Sequence, residues 1–388
     1  MHVAVLFENI GGYHAARLRA AVAACAERKW KFTAIQISDA QGEHPWGAAE
    51  MNFPVRTVLA RNGGNAALTA AELRASGPLV AALLDDLRPT AVALPGWGFP
   101  YSRSALAWCR RNRVPAVLMS ESKFDDGKRF WLREFLKARI ARKFQAALVG
   151  AQSHADYLIR LGMSPEKIFR GYDVVDNAHF ARAAGVAREH PDAARARQPM
   201  IPASPYFLAV TRLIPRKNIA RLLEAFATYR SRVRGPDVWD LAVCGSGAEE
   251  PRLRDFLRAR ELEGCVHFPG FLTYAQMGDW YGLAGAFIHP ALQEQWGLVV
   301  NEAMASGIPA LVSDRCGCFP ELVREGVTGF GFDPTDREQI TRLMLRCAGG
   351  GIDPGAMGRA AVEQMKHFTP QHFADGLIRS VKAAGARA

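Results

Sequence analysis

Long apolar runs are missing from this 388-residue chain. No stretch reaches the roughly 18 consecutive apolar residues that a membrane-spanning helix needs. If membranes matter to it, the protein is expected to lie on them. A secretory leader is not expected at this N-terminus, since Val3–Phe7 is only a strand's length of apolar residues and Glu8 and Gly11-Gly12 follow. Cysteine is sparse and irregular: Cys25, Cys109, Cys244, Cys265, Cys316, Cys318 and Cys347. An odd set in apolar contexts argues against a disulfide framework and for free thiols in a reducing, cytoplasmic compartment. Cys316-Gly-Cys318 has no second pair or histidine cluster to complete a zinc knuckle. Short tandem repeats and low-complexity tracts are absent as well, which leaves ordinary globular domains.

What is present is a basic, apolar-rich chain long enough for two domains. Hydrophobic residues make up 49%, ample for two cores, and the formal net charge is +11. Such a balance suits anionic partners: nucleotide phosphates, anionic lipid headgroups or nucleic acid. The excess is spread over many arginines, and no nucleic-acid recognition module is identifiable, so nucleic acid is not expected as a partner.

Strand-like and helix-like segments alternate from end to end. Val3–Phe7, Lys31–Ile37, Arg56–Leu59, Ala91–Leu94, Ala116–Met119 and Ala146–Gly150 read as strands, with helical segments between most of them. Residues 186–205 are rich in Ala, Arg and Pro, lack strand character and read as a linker. Alternation restarts with Tyr206–Val210, Leu241–Cys244, Val266–Phe268, Ala286–His289, Ala310–Ser313 and Gly329–Phe332. The pattern predicts two α/β domains with parallel sheets, residues 1–185 and 206–368, facing each other across a cleft. The last helix, within residues 369–388, is expected to pack back across the domains. Lys128–Phe144 is a basic amphipathic helix. It fits a membrane surface, and it fits equally a cover for the next strand, with Leu132, Phe135, Leu136, Ile140 and Phe144 facing the core; the second reading is preferred.

Several loops carry residues suited to binding. Glu294 and Glu302 flank the start of an apolar helix, with Trp296-Gly297 between them. The helix from Leu298 offers unpaired N–H groups and a positive dipole end to an anion. The carboxylates can accept hydrogen bonds from sugar or ribose hydroxyls. Alone, such a pair is unremarkable, because Glu is common. Arg212 and Lys217 follow the Tyr206–Val210 strand, a forked and a point-charge donor for phosphate. Gly245-Ser246-Gly247 follows the next strand as a weak phosphate-loop signal. Gly317-Cys-Phe-Pro-Glu321 lies on the same sheet rim. In the first half, Gly11-Gly12 and His14 follow the first strand as a loop that cradles phosphate or as a plain tight turn. Trp97-Gly98-Phe99 reads as an aromatic platform or as packing.

In this order the motifs resemble glycosyltransferase family 4, retaining enzymes of the GT-B fold with two Rossmann-like domains. R-L-x3-K is matched by Arg212, Leu213 and Lys217, and G-x-G-x5-L by Gly245, Gly247 and Leu253. V-x-F-x-G is matched by Val266, Phe268 and Gly270, and E-x-F-G-x4-E by Glu294, Gly297 and Glu302, with Trp296 replacing Phe. G-G-x-P-E is matched by Gly317, Pro320 and Glu321. Thr211 and Cys318 stand where glycines are usual. The resemblance covers about Tyr206–Asp333.

The resemblance implies a nucleotide-diphosphate sugar, with UDP or GDP left open, as donor and co-substrate. It implies Arg212 and Lys217 on the diphosphate, Glu302 on the ribose, and Glu294 on the transferred sugar with backbone amides near Trp296, Gly297, Leu298 and Val299. Phe271 and Leu272 are placed near the base. No metal and no further cofactor are expected, since the cations can take the leaving charge and no Asp-x-Asp motif lies in the site. The acceptor is expected to be a saccharide or lipid-linked saccharide, for cell-surface polysaccharide or glycolipid synthesis, with peripheral association at an anionic membrane face left open. Many relatives carry a histidine where this chain reads Ser120-Glu121-Ser122, so the resemblance leaves a catalytic role for that loop open. A nucleotide-sugar epimerase and a non-catalytic nucleotide-sugar-binding subunit stand as alternatives.

Overall fold

The computed structural model describes residues 1–40, 51–61, 67–233 and 238–385. They form two units, Met1–Val175 joined by the chain from Phe368 onward, and Asp176–His367. The first unit carries β1 (His2–Phe7), β2 (Lys31–Ser38), β3 (Val55–Leu59), β4 (Ala91–Pro95), β5 (Ala116–Ser120), β6 (Ala146–Val149) and β7 (Ile168–Arg170). These make a parallel sheet in the order β3-β2-β1-β4-β5-β6-β7. The second unit carries β8 (Tyr206–Val210), β9 (Asp240–Cys244), β10 (Val266–Gly270), β11 (Ala286–His289), β12 (Ala310–Ser313) and β13 (Gly329–Phe332). Their order is β10-β9-β8-β11-β12-β13, again all parallel.

The central strands are chiefly apolar and almost wholly buried because helices cover both faces. β1 is buried at all six positions, as expected for a strand with no solvated side. In the second unit, Phe207 and Ala209 of β8 pack with Leu222, Leu223 and Phe226 of the helix Ile219–Arg232. The predicted strands recur with shifts of a residue or two. β7 was not foreseen, being three half-buried residues with no clear apolar run.

The linker expectation fails for most of residues 186–205, and the domain bounds move with it. The helices Asn177–Glu189 and Pro191–Arg197 occupy this stretch and belong to the second unit. Ala and Arg are strong helix formers and Pro191 sits at a first helical turn, where proline is tolerated. Arg197 also makes a forked contact with Asp279, at 3.1 and 2.6 Å. Composition suggested a tether; side-chain packing makes it a wall of the second unit. The closing helix Pro370–Ala383 belongs to the first unit, where Phe373, Leu377, Ile378 and Val381 join the core beneath the helix Gly12–Glu27.

The preferred core reading of the basic helix fails for Leu132, Phe135 and Leu136, while Ile140 and Phe144 do pack on the core. In the helix Trp131–Ala141 only Ala141 is buried, and Leu132, Phe135 and Leu136 are exposed. Phe144, just beyond it, is buried as expected. Periodicity shows that a helix is two-faced but not which face meets the protein.

Candidate functional site

In the second sheet the strand order reverses between β8 and β11: β9 and β10 extend one way, β12 and β13 the other. Loops leaving the carboxyl ends of two such strands diverge and open a crevice, the usual ligand position in open α/β sheets. Arg212 and Lys217 follow β8, and Glu294 follows β11. The predicted cations and the predicted carboxylate therefore meet at this switch point.

Backbone hydrogen bonds hold the Glu294 loop from both sides. Leu292 N–H donates to Arg216 O at 2.9 Å, and Gly317 N–H donates to Glu294 O at 3.1 Å. Asn218 adds a brace, its Nδ2 donating to Pro290 O at 3.1 Å and to Pro334 O at 2.8 Å. The Lys217 ammonium donates to the Glu294 carboxylate. Arg216 Nη1 lies 3.7 Å from Glu294 Oε1, and His289 Nε2 lies 3.5 Å from Glu294 Oε2. Burial would raise the pKa of Glu294, but the adjacent His289 ring and the Lys217 charge outweigh it and hold the carboxyl well below its usual range. Glu294 is therefore ionised at neutral pH, an acceptor and not an acid. His289 is fully buried, and burial with the Lys217 charge lowers its pKa against the pull of Glu294. The ring is neutral at pH 7.

Gly297 turns the loop into the helix Leu298–Ala305 with φ +106°, left-handed backbone that suits glycine. Trp296 is buried, its indole N–H donating to Asn301 Oδ1 at 2.7 Å. The Trp296 ring thus locks the first turn, which leaves the backbone amides expected to meet the donor as the notable groups here. Glu302 is also buried, and Tyr281 O–H donates to its Oε2 at 2.7 Å. The structure makes it a buried carboxylate held by the protein.

The loops after β8, β9 and β10 are stitched into one rim. Leu213 N–H donates to Ser246 O at 2.8 Å and Gly245 N–H to Gly270 O at 2.7 Å. A Cβ on Gly245 would lie 1.8 Å from Thr211 O, and one on Gly247 would lie 2.4 Å from Leu213 O. Both have positive φ. The glycines are required here by backbone meeting backbone, which the sequence reading assigned to backbone meeting phosphate. Phe271, exposed, and Leu272, half-buried, follow Gly270 on the same rim. Arg212 is half-buried at its other end.

Gly11, Gly12 and His14 belong to the first unit. They follow β1, at that sheet's own reversal between β1 and β4. Gly11 caps the helix Gly12–Glu27, its N–H donating to His14 Nδ1 at 3.4 Å, and the His14 ring lies 4.3 Å from that of Phe7. Tyr101 O–H donates to Glu8 Oε2 at 2.9 Å and ties this loop to the segment after β4. There Phe99 is exposed and stacks on Tyr101 at 5.1 Å. In the Ser120-Glu121-Ser122 loop, Ser122 N–H donates to Ser120 Oγ at 3.3 Å. Burial and the Glu121 carboxylate push the neighbouring Asp173 well above its usual range, with Arg17 pulling the other way.

Sequence reasoning missed His289, Arg216, Asn218, Tyr281 and Asn301. Only His289 left a legible trace, a histidine closing an apolar strand just before the glutamate loop. The others act through partners distant in sequence or on a helix face that reads as core.

Residues 192–362 match the family model described as glycosyl transferases group 1, and the span holds this site. A D-inositol 3-phosphate glycosyltransferase of Streptomyces bingchenggensis is 30% identical over 225 residues, 55% of this chain and 46% of that protein. The chain thus spans about half the length of that curated relative. A solved glycosyltransferase from Rickettsia africae superposes with TM-score 0.76 at 12% identity, over 100% of this chain and 99% of that one. The structure of Anabaena Alr3699/HepE in complex with UDP superposes with TM-score 0.71 at 16% identity, over 98% of this chain and 100% of that one. The fold is GT-B.

Proposed function

We propose that the chain is a retaining glycosyltransferase that moves a sugar from a nucleotide-diphosphate donor to an acceptor hydroxyl. The observation that carries this reading is the meeting of Arg212, Lys217, Glu294 and a helix start at one switch point. The group 1 match over the same residues supports it, and the UDP bound by the Anabaena protein makes a uridine donor the first to test.

In this reading Arg212 and Lys217 hold the diphosphate and take up charge as it leaves, aided by the amides of Leu298 and Val299. Glu294, ionised and oriented by Lys217 and His289, accepts from hydroxyls of the sugar. Glu302 reads the ribose. Phe271 and Leu272 flank the base. The bond from the anomeric carbon to the diphosphate breaks and one to the acceptor oxygen forms on the same face; the leaving phosphate takes the acceptor proton. Rate then comes from positioning and electrostatics, with no protein nucleophile and no metal invoked. The first unit is assigned the acceptor, with Gly11, Gly12 and His14 as its loop.

Thermal shift against a panel of nucleotide sugars identifies the donor, since a ligand at 100 times its Kd adds about 2.7 kcal/mol. Product analysis with that donor and candidate acceptors follows. Transfer with retained configuration is expected. A new nucleotide sugar formed without acceptor would replace this reading with the epimerase. Tight binding with neither transfer nor donor hydrolysis would replace it with a binding subunit.

A further inference from the structure

We propose that the outward face of the helix Trp131–Ala141, with Phe130 before it, docks on an anionic lipid bilayer. Trp131, Leu132, Phe135 and Leu136 recur at one- and four-residue intervals and share one helix face. That face points to solvent: Trp131 is 82% exposed, Phe130 54%, and Leu132, Phe135 and Leu136 52% each. The opposite face holds the helix to the unit: Ala141 is buried, Ala138 and Ile140 pack against the core, and polar groups add anchors. Tyr157 O–H donates to Glu134 Oε2 at 2.7 Å, and Lys137 Nζ donates to Tyr157 Oη at 3.1 Å. A helix that served only to cover the sheet would turn these faces the other way. Here polar anchors fix the inner side and leave the large apolar side chains uncovered.

A contiguous apolar patch of this kind marks an interaction surface. Its charge selects the partner. Between Lys128 and Lys143 there are seven cations against one carboxylate. Lys128, Arg133, Arg139, Arg142 and Lys143 are exposed. The Arg133 guanidinium lies 5.3 Å from the Phe130 ring centre and that of Arg139 5.7 Å from Phe135, so the cations border the aromatics. Tryptophan and phenylalanine beside arginine and lysine is the composition of a helix lying in a lipid headgroup layer, with rings at the acyl boundary and cations on anionic headgroups. A second copy docked about a two-fold axis would oppose these cations to themselves. Among the described residues no helix is long and apolar enough to cross a membrane, so this surface is a means of lying on one. Combined with the transfer reading, on which this last step rests, it assigns the acceptor to saccharides carried on lipids.

The test is co-sedimentation of the full chain with phosphatidylcholine vesicles, with and without phosphatidylglycerol. Wild-type protein should pellet with the anionic vesicles only, and less as salt rises. Two variants are compared: W131S/F135S/L136S and R133E/R139E. All five positions are exposed, so unchanged melting temperatures are expected. Each variant should bind anionic vesicles roughly tenfold more weakly or worse. Wild-type protein left in the supernatant, or variants that pellet equally, would overturn the proposal. So would a wild-type dimer, seen by light scattering without vesicles, that W131S/F135S/L136S turns into monomer. Thermal shift by the donor nucleotide, read on the same samples, reports the transfer site separately, so failure of one reading leaves the other measurable.

Discussion

The Lys217 ammonium and the Glu294 carboxylate form an ion pair whose side chains are only 11% and 12% exposed. Lys217 follows β8 and Glu294 follows β11, so the pair spans the reversal of the second sheet. One contact thus couples the group proposed for the diphosphate to the group proposed for the sugar.

Removing either partner leaves a largely buried charge, which costs about 3–5 kcal/mol. The losses should be unequal. Without Lys217, Glu294 keeps Arg216 at 3.7 Å; without Glu294, two cations lose their counter-charge. Glu294→Gln is therefore expected to be more destabilising than Lys217→Met, and the double variant should lose less stability than the sum of the singles. Urea unfolding of the four proteins measures this. Turnover should fall by about 10²–10³ in each single variant. Near-normal turnover in both would end the site assignment.

The same cluster makes stability depend on pH. His289 is held below its ordinary 6.5 and Glu294 well below its ordinary 4.5. Below pH 6.5 the unfolded chain binds a proton at residue 289 that the folded chain refuses, so stability falls as pH falls. Below pH 4.5 residue 294 adds a second loss of the same sign. The stabilisation is fully present above pH 6.5. His289→Gln should flatten the upper part of the decline, seen as urea midpoints at pH 7.5, 6.0 and 5.0. An unchanged slope would remove His289 from the cluster's energetics.

Much of this was legible beforehand for a physical reason. Strands buried on both faces are unbroken apolar runs, so β8, β9, β11 and β12 announce themselves, and the loops at their ends carry Arg212, Lys217, Glu294 and Glu302. Tertiary partners were not legible. Asn218 bridges Pro290 and Pro334, 72 and 116 residues away, and no local pattern encodes such a brace. Residues 177–197 read as part domain and part tether until Asp279 supplied the partner of Arg197. The basic helix read as core because periodicity is blind to which face is anchored.

The thiols should be inert. All seven cysteines are free and buried. Burial pushes Cys25 up to about 11 and Cys109 and Cys347 up to about 12. The thiolate is the reactive form, so native protein at pH 8 should label with a thiol reagent orders of magnitude more slowly than free cysteine, and seven equivalents should react after denaturation. Rapid native labelling of one site would place that cysteine on a mobile element.

Gly247→Ala should damage the rim without touching a ligand. At φ +158° its new methyl would meet Leu213 O at 2.4 Å, and Leu213 N–H is itself bonded to Ser246 O. Relief requires parting the loops after β8 and β9, which carry Arg212 and Lys217. A loss of about 2–4 kcal/mol is expected, the range of overpacking with backbone strain, together with weaker nucleotide binding. Gly264→Ala is the control, since nothing lies within 4 Å of its added carbon. Equal melting temperatures for the two variants would show that the rim is not rigid.

Glu302 poses the sharpest choice between structure and function. Tyr281 O–H donates to its Oε2 at 2.7 Å and both are buried. A purely structural carboxylate would lose stability when altered and leave nucleotide selectivity untouched. A ribose reader would lose selectivity as well. Calorimetric affinities for a nucleoside diphosphate and its 2′,3′-dideoxy analogue separate the two. Wild-type protein should prefer the ribonucleotide, and Glu302→Ala should erase the preference. Tyr281→Phe removes a hydrogen bond to a charged group, worth about 1.5–3 kcal/mol of stability. It leaves the carboxylate in place but less well oriented, so the preference should shrink and persist. If Glu302→Ala keeps the full preference while losing stability, the ribose is read elsewhere and Glu302 serves to hold the helix Leu298–Ala305 against Tyr281.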